Sequence, residues 1–455
     1  MTAISRVLVA NRGEIAVRII QACQKLGIET VLAMSEADRD TLGARIADRA
    51  VCIGAAPPLE SYLKVNTIVI AALGVGADAI HPGYGFLAEQ PELGEACAQN
   101  GLIFIGPSPD SIRKMGDKLM ARKTAMDLGI PLIPGSALIL DLEQCRREAD
   151  IIGFPILLKA AAGGGGKGMK AVHKPEEMET VFREASAEAR AAFGDDRLYA
   201  ERFIPNARHI EVQILSDRYG HCIHLFERDC SLQRRYQKVI EEAPSTAISV
   251  ELREQMCHAA VLIAQSIGYE TTGTVEFVLD QDEKRFYFLE MNTRIQVEHP
   301  VTEMITGVDL VAEQIRMAAG ERLQYYQDDI HMTGHAMECR INAECPDDNF
   351  RPSPGRIVKW EVPKGNGIRV DTHCFEGYFV PPYYDSLLAK LIVVGKTRED
   401  AISKMTHALS DFHVTGIDTN IEFLSRIMNH PDFRCGQTNT RWLETAVCKQ
   451  GDGNP

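Results

Sequence analysis

Thr274-Val275-Glu276-Phe277-Val278-Leu279 is followed, after the polar stretch Asp280 to Lys284, by Arg285-Phe286-Tyr287-Phe288-Leu289-Glu290. Both runs are strand-like in their β-branched and aromatic residues, and the stretch between them has the length of a hairpin connection. A hairpin centred on Glu283 places Glu276 and Glu290 equally far from the turn, as cross-strand neighbours on one face. Like charges directly opposed destabilise a sheet unless something neutralises them. A divalent cation does so, and hard oxygen donors suit Mg²⁺ bridging to phosphates. Asn292, two residues beyond Glu290, falls on the same face by strand periodicity. Two solvated carboxylates on an exposed sheet face are the other reading.

The pattern continues through Glu290-Met291-Asn292-Thr293-Arg294-Ile295-Gln296-Val297-Glu298-His299-Pro300, whose even positions are all polar. If the segment stays extended, metal ligands, an arginine, an amide and a carboxylate line up in order. Arg294 then offers a planar cation to a small oxyanion. Glu298 offers a base whose basicity Arg294 and the metals tune. Upstream, Arg208-His209-Ile210-Glu211-Val212-Gln213-Ile214 alternates, so His209, Glu211 and Gln213 share a strand face. In Glu227-Arg228-Asp229-Cys230-Ser231-Leu232-Gln233-Arg234-Arg235-Tyr236-Gln237-Lys238, three cations fall within five residues, a local anion site or a solvated charged helix.

Further out, Lys159-Ala160-Ala161-Ala162-Gly163-Gly164-Gly165-Gly166-Lys167-Gly168-Met169 follows the strand-like run Phe154 to Lys159. Four consecutive glycines forgo packing and cost chain entropy. They make sense where backbone amides approach an anion closely or a flap moves, with a flexible linker as the alternative. Gly166-Lys167 is followed by Gly168, not Ser or Thr, so this is not a Walker A loop. Residues 1 to about 115 alternate strands (Ser5 to Ala10, Thr30 to Met34, Ala77 to Ile80, Leu102 to Ile105) with helices such as Ile15 to Leu26. That alternation indicates a parallel α/β sheet. The turn Asn11-Arg12-Gly13-Glu14 lacks the three-glycine dinucleotide fingerprint. One helix is expected from Asp110 to Leu128, another from Val250 to Ser266, and a closing one from Glu399 to Leu409.

The chain has 455 residues, too many for one core, so two to four subdomains are expected. A formal charge of -14 argues against general affinity for nucleic acid or anionic membranes. The twelve cysteines lie singly, with no zinc spacing, and read as reduced thiols in a cytoplasmic protein. No run of about 18 apolar residues suggests a membrane span.

Together these segments, with Val9 to Ala16, His81 to Leu87, Met115-Gly116-Asp117-Lys118, Glu290 to Gly307 and Gly334 to Glu344, closely resemble biotin carboxylases of the ATP-grasp superfamily. The ordered set spans nearly the whole chain. The resemblance implies a mixed α/β and α+β fold. Its parts are an N-terminal parallel α/β domain (1–115), a linker helix (116–134) and a mobile glycine-rich lid (135–203). An ATP-grasp catalytic part (204–335), a mainly β C-terminal domain (336–447) and a tail (448–455) follow. It implies that Lys118, Lys159, Gly165, Gly166, Glu201, Ile204, His209, Gln233, Tyr236, Glu276 and Glu290 bind ATP. Glu276, Glu290 and Asn292 would hold Mg²⁺ or Mn²⁺. Lys238, Arg294, Gln296, the Val297 backbone and Glu298 would hold bicarbonate, with Glu298 as its base. Arg340 would bind biotin and stabilise its enolate.

Two departures stand out. Tyr236 occupies a position where many family members have histidine; it keeps a hydroxyl but cannot switch charge near neutrality. Gly43 replaces another common histidine, in a segment that reads as a surface loop. No Ala-Met-Lys-Met biotinyl segment occurs, so biotin is expected on a separate carrier protein, and the further partner is a carboxyltransferase. A homodimer is implied by the resemblance. The final acceptor is left open, with acetyl-CoA first and pyruvate, 2-oxoglutarate or another acyl-CoA behind it. The more distant readings are another ATP-grasp ligase and a silent nucleotide-binding protein.

Overall fold

The computed structural model describes residues 4–161 and 169–447. Gly165 and Gly166, and most of the glycine run with them, lie outside the described residues. At the N-terminus five parallel strands lie in the order Arg49–Cys52, Glu29–Met34, Arg6–Val9, Ala79–His81, Ile103–Phe104. Leu8, Val31 and Ile80 are wholly buried, as expected of a sheet covered on both faces by crossover helices. Helix Gly13–Lys25 starts directly after the first strand, with Glu14 in its first turn and Lys25 in its last, both suited to the helix dipole.

The expected single helix from Asp110 to Leu128 is two, Pro109–Gly116 and Lys118–Asp127. Asp117 lies between them in an extended conformation, and its side chain accepts from the Leu119 and Met120 amides. An aspartate is a better N-cap than a helix-interior residue, so it restarts the helix. Lys118 thereby gains the first position of the second helix.

A small three-stranded antiparallel sheet follows, Met169–Val172, Ile156–Ala160 and Leu198–Arg202 in that order. Helices Leu142–Ile152 and Met178–Phe193 pack on it around a core of Ile156, Leu158, Val172 and Ala185. The largest sheet has eight strands: Arg285–Asn292, Thr271–Asp280, Ala207–Ser216, Cys222–Arg234, Gln237–Ala243, His335–Asn342, Leu387–Gly395 and Ile368–Thr372. Its pairings are all antiparallel. Because Gln237–Ala243 pairs with His335–Asn342, the sheet runs unbroken across the expected division near residue 335.

Helix Val250–Ser266 matches its expected bounds and lies against this sheet. The helix at Arg398–Ser410 is not the last one: Ile421–Asn429 and Pro431–Arg434 come after it. Gly43 is not in a surface loop. It is buried in helix Leu42–Ile46, where an added Cβ would come within 3.3 Å of Leu32. Of the eleven cysteines among the described residues, all are free and eight are buried. No described helix is long and apolar enough to cross a membrane.

Candidate active site

A cleft of about 990 Å³ opens between the N-terminal sheet, the three-stranded sheet and the eight-stranded sheet. Its floor is built by one row of residues across four adjacent strands. Glu290 pairs with Glu276, Glu276 with Glu211, and Glu211 with Arg228. The hairpin holds the two glutamates opposite each other, although its turn is centred between Asp282 and Glu283, with Asp280 paired to Arg285. Between Glu276 and Phe277 the register shifts, because Phe277 pairs with Phe288 and leaves Leu289 as an extra residue. A bulge of this kind re-aims the residues beside it.

Lys238 enters this row from strand Gln237–Ala243. Its ammonium lies 2.5 Å from Glu211, 3.0 Å from Glu276 and 2.5 Å from Glu298. Arg228, fully buried, donates to Glu211, Gln213, Thr302, Thr274 and Gln296. Burial alone would raise the Glu211 carboxyl, but Lys238 and Arg228 outweigh it and hold it far below the usual range. Glu276 is likewise depressed by Lys238 and His209 against its burial. His209 sits 3.2 Å from Glu276 and 3.4 Å from Glu211. Burial opposes its charge, yet Glu276 in particular pushes its pKa up to about 9, so it is protonated at neutral pH.

Glu290 stands differently. Its carboxyl makes no hydrogen bond or salt bridge among the described residues, and burial together with the Glu276 charge raises its pKa. Asn292 turns its amide nitrogen to Glu276 at 2.9 Å, while its oxygen accepts from Arg294 at 3.0 Å. Two opposed carboxylates and an amide oxygen, with one carboxylate lacking a cation, fit a hard divalent ion. His209, Glu211 and Glu276 also converge within 4.8 Å. There, protonated His209 and Lys238 already supply the positive charge, which favours the Glu290 side for a metal.

The segment after Asn292 does not stay extended. The strand ends at Asn292, the chain bends at Arg294, and Glu298 becomes the N-terminal flank of helix His299–Thr306. Its polar residues nevertheless converge. Gln296 donates to Glu276 at 2.9 Å and accepts from Arg228 at 2.8 Å. Val297 has its carbonyl fixed by Lys390 at 2.8 Å, a fully buried lysine that also meets Glu14 at 3.1 Å.

Arg294, expected to tune Glu298, acts on it through its charge and makes no direct ion pair with it among the described residues. It donates to Glu89 at 2.9 Å from across the cleft. Glu298 is held by Lys238 at one oxygen and by Arg340 at the other, 2.5 and 2.9 Å away. Burial would raise its pKa, but Lys238 above all lowers it, so it is ionised and available as a base.

At the end of the cleft toward the three-stranded sheet, Lys159 is buried and lies 2.5 Å from Glu201, which Arg122 also engages. Lys118 lines the same wall; burial lowers its pKa and Glu290 partly restores it. Gln233 is anchored by donating to the Cys230 carbonyl at 2.9 Å. Ile204 is not on the cleft wall: it packs in a small core with Ile133, Ala207 and Tyr287. Tyr236 is half exposed at the rim, in a turn where Arg235 and Tyr236 both have positive φ, 47° and 64°.

Arg234, Arg235 and Lys238 do not form one anion site. Arg234 and Arg235 reach Asn349 on the outside, whereas Lys238, past the turn, points in. Sequence reasoning passed over Arg228, Glu211 as a hub, Glu241, Lys390 and Glu89. Glu211 carried a signal in its alternation with His209 and Gln213, while the pairing of Arg228 with it is visible only in the sheet register.

An ATP-grasp frame is thus defined, with an acidic metal-type site at one end of the cleft and an anion site with a base at the other. The comparisons specify the class further. Family profiles described as "Biotin carboxylase, N-terminal domain", "Carbamoyl-phosphate synthase L chain, ATP binding domain" and "Biotin carboxylase C-terminal domain" match residues 3–112, 117–326 and 338–445. Biotin carboxylase 1 of Bacillus subtilis is 52% identical over 97% of this chain and 98% of its own length. A pyruvate carboxylase subunit from Methanothermobacter thermautotrophicus is 50% identical over 97% of this chain and 89% of its own. The crystal structure of the biotin carboxylase domain dimer of Hydrogenobacter thermophilus 2-oxoglutarate carboxylase, with MgADP, ADP and bicarbonate, superposes with a TM-score of 0.94. It is 49% identical and the match covers 98% of each chain. The chain belongs to the biotin carboxylase family of ATP-dependent ligases.

Proposed function

We propose that the chain uses ATP and bicarbonate to carboxylate biotin attached to a separate carrier protein. The observation that carries this is the double anchoring of Glu298 by Lys238 and Arg340, in the same cleft as the Glu276–Glu290 pair. Lys118, Lys159, His209, Gln233 and Tyr236 line the nucleotide end, and Glu201 orients Lys159. Glu276, Glu290 and Asn292 hold Mg²⁺, which neutralises the phosphates and aligns the γ-phosphoryl group. Lys238, Arg294, Gln296 and the Val297 backbone bind bicarbonate.

Glu298 removes the bicarbonate proton, and the oxygen so freed attacks the γ-phosphorus of ATP. ADP leaves and carboxyphosphate forms. Carboxyphosphate divides into CO₂ and phosphate, phosphate takes the proton from the biotin ureido nitrogen, and that nitrogen attacks CO₂. Arg340 stabilises the enolate form of biotin. Exclusion of water protects the labile intermediate. The relatives come from more than one carboxylase, and acetyl-CoA is the first choice of final acceptor, through a carboxyltransferase partner. The dimeric relative supports a homodimer, and the cytoplasm is the proposed location.

The reading is tested by ADP release from ATP, bicarbonate and Mg²⁺ with and without biotin. Stimulation by biotin is expected. Turnover indifferent to biotin would keep the ligase class and reject the substrate.

A further inference from the structure

Beneath Arg340 the sheet holds a pair of acids that the chemistry above does not use. Glu241 and Glu338 are register partners on strands Gln237–Ala243 and His335–Asn342, and both are completely buried. Directly opposed residues of antiparallel strands have their Cβ atoms about 5 Å apart. One oxygen of Glu241 accepts from Arg340 at 2.6 Å. Its other oxygen and both oxygens of Glu338 have no hydrogen-bond partner among the described residues. Helix His299–Thr306 closes the space, with Val301 and Ile305 packed against Ala243, Ala336 and Ile392. A buried carboxylate without partners is costly, and a second one beside it makes it costlier; retaining a proton relieves both.

We infer that Glu338 is held as a neutral carboxylic acid and forms with Glu241 a one-proton pair that positions Arg340 between Glu241 and Glu298. With Glu338 neutral, the pair carries a single negative charge, on Glu241. The guanidinium then spans two anions, 2.6 Å from Glu241 and 2.9 Å from Glu298. The cations that act on Glu338 are Lys390 and Arg340. Lys390 is engaged elsewhere, by Glu14 and the Val297 carbonyl, and makes no hydrogen bond to Glu338. Lys238 also faces Glu241. From the covering helix, His299 is kept neutral by burial, and Glu303 is paired with Arg18 and Arg369.

Burial, reinforced by Glu241, pushes Glu338 far above the usual carboxyl range, and burial lifts Glu241 to about 7. Below neutrality Glu241 therefore takes a second proton from water, and Arg340 loses one of its two anchors. Glu241 is the positioning residue for Arg340, whose role rests on the function proposed above, and Glu338 is its uncharged neighbour.

The test compares the full chain with Glu338→Gln and Glu241→Gln. In infrared spectra at about pH 8, where ordinary carboxyls are ionised, the wild type is expected to show a protonated-carboxyl carbonyl band that Glu338→Gln lacks. In biotin-dependent turnover, Glu338→Gln stays close to wild type. Glu241→Gln loses about tenfold in kcat, the worth of a charged hydrogen bond, keeps its KM for ATP, and no longer slows as pH falls through neutrality. The inference is overturned by a band unchanged in Glu338→Gln, by equal kcat losses in the two variants, or by a wild-type pH profile in Glu241→Gln. The infrared readout needs no turnover, so a chain indifferent to biotin would reject the substrate and still decide the pair.

Discussion

The two ends of the cleft handle negative charge in opposite ways. Around Glu298 the chain supplies its own cations: Lys238 touches three carboxylates and Arg340 a fourth. Around Glu290 the described residues supply none in contact, and the carboxyl is pushed toward protonation. One end is complete without a partner, and on the proposed function the other would be finished by Mg²⁺ from solution. On that reading the difference would separate an anion site built in advance from a metal site assembled with the nucleotide.

The comparison is broken most severely at Lys238. Lys238→Met strands Glu211, Glu276 and Glu298 without their shared cation. Removing one partner of a buried pair costs roughly 3–5 kcal/mol. Thermal unfolding should show this loss, growing as pH rises, because the stranded carboxyls now have raised folded-state pKa values and are stabilised by protons. Turnover should fall by at least about a hundredfold, as for loss of preorganised charge stabilisation.

Glu290→Gln sharpens the comparison from the other end. Glu290 has a raised pKa when folded, so the folded state binds its proton more tightly than the unfolded chain. The metal-free protein therefore loses stability from this group as pH rises above the ordinary carboxyl value of 4.5. Glu290→Gln should raise the metal-free melting temperature at about pH 8 while weakening Mg²⁺ activation by at least about tenfold. A variant that needed no extra Mg²⁺ would remove Glu290 from the metal site.

Tyr236→His carries the smallest effect. Tyr236 lies at the rim, half exposed and away from the ion-pair network. The KM for ATP should shift by about two- to tenfold, the worth of one ordinary hydrogen bond, with kcat nearly unchanged. A large fall in kcat would place Tyr236 in the chemistry.

The opposition of Glu276 and Glu290 was legible because hairpin arithmetic depends only on nearby residues. The turn is centred half a residue before Glu283, and the bulge at Leu289, which the arithmetic did not foresee, restores the opposition by shifting the register one residue. Helix Val250–Ser266 was legible from its periodicity, while the break at Asp117 yielded to capping chemistry within an otherwise helical pattern. The extended reading of 290–298 failed because the chain turns there to enter helix His299–Thr306. The partners of Glu298 were not legible in the local pattern, and only the family resemblance brought Lys238 and Arg340 to the same site. Lys238 and Arg340 lie 60 and 42 residues away along the chain, on strands whose pairing the local pattern does not specify. Arg234 and Arg235 were misread for a related reason: they reach Asn349, while Lys238, beyond the turn at Arg235 and Tyr236, reaches the cleft carboxylates.

The most direct measurement is the transfer of labelled bicarbonate carbon to biotin, with Mg²⁺ and ATP, by the wild type and by Glu298→Gln. Loss of a positioned general base should slow label transfer by about 10²- to 10⁴-fold, with the fold and nucleotide binding retained. Label transfer at the wild-type rate in Glu298→Gln would contradict the account, because the carboxylate that Lys238 and Arg340 hold would then not be the base.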